Sequence, residues 1–184
     1  QFVIVKRLNS SAAWTVWHQS IPNTKYLMLD STAALNTYNV WGNTSPNSSV
    51  VTVSGDSYTG NNGDDYVAYC WSEVPGFSKF GSYTGNGSST GPVVTLGFKP
   101  RWVMLRRTDS TGNWVMLDTA RSPSGSASNS LYADTNDAEY SPGQVWASLG
   151  SDGFQITATY GEVNASGGDY IYMAFADKPP GEII

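Results

Sequence analysis

Short runs of alternating or continuous apolar residues recur along the chain at close intervals, at 2–8, 14–18, 26–30, 38–42, 50–54, 66–72, 79–84, 93–97, 101–107, 113–118, 130–133, 144–148, 154–160 and 169–176. Gly, Pro, Asn, Asp and Ser fill the gaps, as turns between strands require. No window sustains a helical period with caps. Strands at this spacing, with no helices between them, predict an all-β fold: an antiparallel β-sandwich, jelly-roll-like in organisation.

The pattern repeats. FVIVKRLNSSAAWTVWH (2–18) aligns without a gap on WVMLRRTDSTGNWVMLD (102–118), and GDDYVAYCWSEVP (63–75) on GGDYIYMAFADKP (167–179). Between them YLMLD (26–30) faces SLYAD (130–134), and Asn39-Val40-Trp41 faces Gln144-Val145-Trp146. A period near 100 residues is too long for a solenoid. It reads as two pseudo-repeated halves, 1–79 and 101–184, joined by a structured Gly-rich crossover at 80–100, in one compact domain. Positions alike in both halves then serve the fold, and positions that differ are freer to serve function. The first half enters the pattern at Gln1, where the second has already passed GFKPR (97–101), as a piece cut from a longer chain would.

YVAYCW (66–71) and YIYMAF (170–175) are apolar on both alternating faces, which predicts central strands covered on both sides. Cys70 within the first is expected to be a buried small hydrophobe. The Gly-Asp turns before them (63–65 and 167–169) launch the strands, with Asp65 and Asp169 accepting backbone N–H groups. Alternation sends Lys6 and Arg7, and likewise Arg106 and Arg107, to opposite faces. Their occurrence in both halves reads as strand-end solvation and ion pairing, with an acidic-ligand site as the alternative.

Composition narrows the function. The chain has 184 residues, 14% charged and 13% aromatic, with a formal net charge of −5. Its ten Lys and Arg are scattered, which argues against nucleic acid as a partner. No apolar run is long enough to form a membrane-spanning helix. The crossover glycines make no phosphate loop, because no Lys-Ser/Thr and no helix follow them.

A catalytic constellation is hard to assemble. His18 is the one histidine, no GxSxG elbow accompanies it, and it reads as a hydrogen-bonded strand-end residue. One His and one Cys exclude zinc sites built from several such ligands. A carboxylate pair could hydrolyse a glycoside, but most acids lie in turns, where they cap backbone. No cofactor is expected; Asp64-Asp65 and Asp137 with Glu139 are the candidates for calcium, without a calcium-loop spacing. The paired Trp residues read as core. Unpaired aromatics in turn-rich stretches (Tyr38, Tyr58, Tyr83, Tyr140 and Tyr160) are the better ligand candidates, since an aromatic face offers apolar area at little entropic cost. Five glycosylation sequons, at Asn9, Asn43, Asn47, Asn86 and Asn164, matter only in a secreted eukaryotic protein.

FGSYTGNGSSTGPVVTLGFKPRWVMLRRTDSTGNWVMLDTAR (80–121) with GGDYIYMAFAD (167–177) resembles a β-rich domain of virion-associated proteins of tailed phages, marine and cyanobacterial ones above all. Such proteins pair a G-F-x-P-x-hydrophobic-basic run with a Trp-hydrophobic-Asp-x-x-Arg run, here Trp114 to Arg121, and close on a strand like Tyr170 to Asp177. The likeness covers most of 60–177 and the first 60 residues weakly. It implies a tail-fibre-like or capsid-surface component at the virion surface or in the extracellular space, and brings no catalytic residues with it. His18 stands where the motif has Asp118, and nothing basic near Ile21-Pro22 matches Arg121, so an Asp118–Arg121 site would exist in one half only.

Three functions follow as expectations. The first is a non-enzymatic structural or adhesive module, binding a host surface glycan or a neighbouring virion protein, as a homo-oligomer. The second is a carbohydrate-active enzyme with a carboxylate pair. The third is a self-assembling fibre subunit that pairs residues 1–8 or 180–184 with another chain.

Overall fold

The computed structural model describes residues 1–141, 145–178 and 181. Among them fourteen strands run in chain order: β1 (Phe2–Arg7), β2 (Thr15–His18), β3 (Lys25–Met28), β4 (Asn36–Thr37), β5 (Tyr66–Trp71), β6 (Ser78–Thr84), β7 (Val93–Thr95), β8 (Trp102–Arg107), β9 (Val115–Asp118), β10 (Ser126–Ala127), β11 (Leu131–Tyr132), β12 (Ala147–Leu149), β13 (Gly153–Ile156) and β14 (Asp169–Phe175). A single helical turn, α1 (Gly161–Asn164), precedes β14. The strands form three antiparallel sheets, ordered β4-β3-β2-β1-β5, β11-β9-β8-β14-β6 and β10-β12-β13-β7. The fold is an all-β sandwich.

The second sheet is the middle layer. Alternation sends its side chains to both faces. Met104, Ile171, Met173 and Phe80 pack with Phe2, Ile4 and Val16 of the first sheet. On the other face Val103, Leu105, Leu117 and Tyr172 pack with Val94, Leu149, Phe154 and Ile156 of the third. Gly81 of β6 lies opposite Tyr172, where an added Cβ would fall 2.6 Å from the Tyr172 hydroxyl. Only glycine leaves room for that ring.

The first two sheets share a register. Phe2 pairs with His18 as Trp102 pairs with Asp118, and Val5 with Thr15 as Leu105 with Val115. Phe2 pairs with Trp71 as Trp102 with Phe175, and Arg7 with Tyr66 as Arg107 with Tyr170. Local capping matches too: Trp14 N–H donates to Asp30 Oδ1 at 3.1 Å, and Trp114 N–H to Asp134 Oδ1 at 2.8 Å. Arg7 pairs with Asp64 and Arg107 with Asp109, while Lys6 lies over the Trp14 ring and Arg106 over Trp114.

Several expectations need correction. β5 is an edge strand with Ala68, Tyr69 and Cys70 exposed, whereas β14 lies buried between β8 and β6. The difference is one neighbour: β6 continues from the β5 end of the chain but pairs with β14. Cys70 is therefore exposed, not core. Runs 38–42 and 50–54 form no strands, because Val40 and Trp41 are buried consecutively inside a turn-rich segment rather than alternating. Neither the Asp65 nor the Asp169 carboxylate accepts a bond among the described residues; their backbone carbonyls accept from Leu8 and Thr108 N–H groups. Arg106 is fully buried rather than solvated. Residues 2–7 are paired on both sides within their own sheet. Gln144, Pro179, Pro180 and residues 182–184, on which parts of the repeat and the pairing tail fall, lie outside the described residues.

Candidate functional site

A cleft of about 540 Å³ opens on the face of the first sheet that points away from the middle layer. Val3 of β1 and Trp17 of β2 line it because they are cross-strand partners, so alternation puts both on this face. The end of β5 contributes Cys70, Trp71 and Ser72, and the segment over the sheet contributes Pro46, Asn47, Ser48 and Val51. That segment is pinned at its base: Val40 C=O accepts from Ser54 N–H at 3.1 Å and from the Thr59 hydroxyl at 2.6 Å. Its turn is shaped by Asn47, whose Oδ1 accepts the N–H groups of Ser49 and Val50 at 2.8 and 2.9 Å.

The remaining lining residues are amides. Gln19 donates its side-chain N–H to Phe80 C=O at 2.6 Å, and Gln1 Oε1 accepts Glu73 N–H at 3.0 Å. No Asp, Glu, Lys, Arg or His side chain lines the cleft among the described residues. Trp17 is 4% exposed, and its indole Nε1–H has no acceptor among the described residues. Trp41 and Trp146 share that orphaned donor but line none of the clefts described here. A buried donor without an acceptor costs on the order of 1–3 kcal/mol. The cleft thus offers amide and hydroxyl groups beside the Trp17 and Trp71 side chains.

The residues singled out from sequence lie elsewhere, in separate groups. Tyr38 and Tyr58 pack together, ring centres 6.4 Å apart, with Tyr58 against Tyr26; burial and the Tyr58 hydrogen bond push the Tyr26 hydroxyl up to about 12. Tyr83 stacks on Tyr170 at 5.0 Å and donates to Val163 C=O at 2.8 Å, and burial raises its hydroxyl well above the usual value. It also lines a second cleft of about 450 Å³ with Ile21, Leu35 and Asp169. Tyr140 and Tyr160 flank Trp146. Asp118 caps the following turn through Ala120 and Arg121 N–H, at 2.8 Å each, and forms an ion pair with the Arg121 guanidinium, which also reaches Glu139 at 3.4 Å.

The acids mostly serve backbone or cations. Asp30, Asp56, Asp118 and Asp134 accept turn N–H groups, and Asp64, Asp109 and Asp177 face arginines. Glu162, bonded to Asn113 at 2.6 Å, is raised by burial, with a smaller contribution from Asp134. Among the described residues no group of three His, Cys, Asp or Glu side chains could hold a metal ion. Sequence reasoning missed the cleft because four separate segments build it. One signal was available: Trp17 faces Leu117 in the other half, so it is a position where the halves differ.

Residues 1–179 match the family described as a domain of unknown function (DUF7483), and the chain belongs to that family. No curated protein and no solved structure matches it.

Proposed function

We propose that the domain is a non-enzymatic recognition module of a phage virion surface, and that its cleft takes a neutral saccharide from the host surface. The observation that carries the reading is a cleft walled by the Trp17 and Trp71 side chains and by amides and hydroxyls, with no charged side chain among the described lining residues. Sugars present hydroxyl oxygens to such donors and apolar C–H faces to aromatic walls. The virion setting rests on the resemblance of residues 60–177 to virion-associated phage domains. The lack of charged side chains in the described lining favours neutral over acidic sugars, since an anionic ligand would lose hydration without gaining a side-chain cation.

A glycan array followed by calorimetry on the hits tests this. Neutral or N-acetylated saccharides are expected to bind, and Trp17→Phe to weaken them about tenfold, the loss of one hydrogen bond of about 1.4 kcal/mol. Binding confined to acidic glycans, or hits indifferent to Trp17→Phe, would overturn the cleft as the site. An array without hits, with the domain built into particles, would leave a purely structural role.

A further inference from the structure

We propose that the chain self-associates through the open edge of β5, which pairs antiparallel with β5 of a second copy about a two-fold axis through Ala68. In the middle sheet the strand of matching register, β14, is covered on its far side by β6 over seven consecutive pairs, Asp169↔Thr84 to Phe175↔Ser78. In the first sheet β5 pairs with β1 alone, and among the described residues no strand covers its other edge.

The direction of the free groups follows from the register. Leu8 N–H donates to Asp65 C=O, and the Gln1 nitrogen to Trp71 C=O. Residues 65, 67, 69 and 71 thus turn their backbone groups toward β1. Tyr66, Ala68 and Cys70 then turn theirs to the open edge. Thr108 N–H to Asp169 C=O and Arg101 N–H to Phe175 C=O set the same phase in β14, whose outward residues pair with β6.

Sheet edges are normally blunted by shortness, charge or proline. β4, β10 and β11 have two residues each and β7 three, while the long edge strand β6 carries Lys79 and Gly81. β5 has six residues, no charge, no proline and no glycine. Its exposed residues lie on both faces, with Tyr69 at 46% exposure, so no covering segment hides the strand. Antiparallel self-pairing through Ala68 sets Tyr66 opposite Cys70 and Val67 opposite Tyr69, apolar against apolar. Asp65 then faces Trp71, and no two acids meet. The result is one continuous ten-stranded sheet with a Trp17 cleft on each side of the seam. The saccharide reading is not needed for it.

Sedimentation of the full chain over a wide concentration range, with residue-resolved amide exchange, tests the pairing. A dimer is expected in which the Tyr66, Ala68 and Cys70 amides are protected. Ala68→Pro removes only an outward N–H, which an edge strand tolerates, and is expected to give a folded monomer; Tyr69→Lys, an edge charge, gives the same result should the proline variant not fold. A monomer at every concentration, a dimer surviving in a folded variant, or a dimer in which those three amides exchange freely would overturn the proposal.

Discussion

Trp114 donates its indole N–H to the carbonyl of Met28 at 2.8 Å, tying the middle sheet to the strand end of the first. The ring is 1% exposed and meets Phe2 edge-on at 6.4 Å. Trp114→Phe keeps an aromatic ring but leaves a smaller side chain and an unanswered carbonyl. It is expected to destabilise the fold by about 2–4 kcal/mol, from cavity and lost hydrogen bond together. Denaturant unfolding of the two proteins, read as a shift in midpoint at constant slope, measures it.

Arg106 is a buried cation held by neutral groups. Its guanidinium donates to the carbonyls of Gly112 and Ala33 and lies over Trp114, 5.4 Å from the ring centre. Burial lowers it to about 10, partly offset by Asp134, so it stays charged near neutrality. Lysine carries the charge but not the planar fork that reaches two carbonyls at once. Arg106→Lys is expected to cost about 1.5–3 kcal/mol, the worth of one charge-assisted bond, whereas Lys25→Arg on the surface leaves the melting temperature unchanged.

His18 makes stability depend on pH. Burial lowers its imidazole to about 4, although the Tyr172 carbonyl, 3.1 Å from Nε2, opposes the shift. In the unfolded chain it takes a proton near 6.5. Between those values the unfolded state binds more protons, so stability falls as pH drops from 6.5 toward 4, by about 3 kcal/mol in all, and this group adds no further slope below that. The difference between wild type and His18→Gln across that range isolates the effect. A difference independent of pH would contradict it.

Sequence pattern reached the all-β class and the place of most strands along the chain. The alignment of 2–18 on 102–118 coincides with the shared register of β1–β2 and β8–β9. It failed where a neighbour comes from elsewhere. YVAYCW and YIYMAF share an apolar pattern from their leading Tyr onward, yet one is an edge and the other is buried, because β6 joins β14 and leaves β5 open. Trp14 and Trp114 align too. Trp114 is buried, while Trp14 is partly exposed and stacks on Tyr69 at 6.4 Å. The cleft was beyond periodicity for the same reason: it gathers residues near 1–3, 17–19, 46–51 and 70–72. Of the tyrosines singled out from sequence, Tyr38 and Tyr140 are exposed although each packs against another aromatic ring, and Tyr83 is held by Tyr170 and Val163.

Three buried indole donors lack acceptors among the described residues: those of Trp17, Trp41 and Trp146. Only Trp17 borders the large cleft. The most direct measurement is therefore the nitrogen–proton spectrum of the indole groups as a neutral saccharide is titrated in. The Trp17 Nε1–H signal should move downfield with saturation, while those of Trp41 and Trp146 stay fixed. Saccharide binding that leaves the Trp17 signal in place would contradict the account.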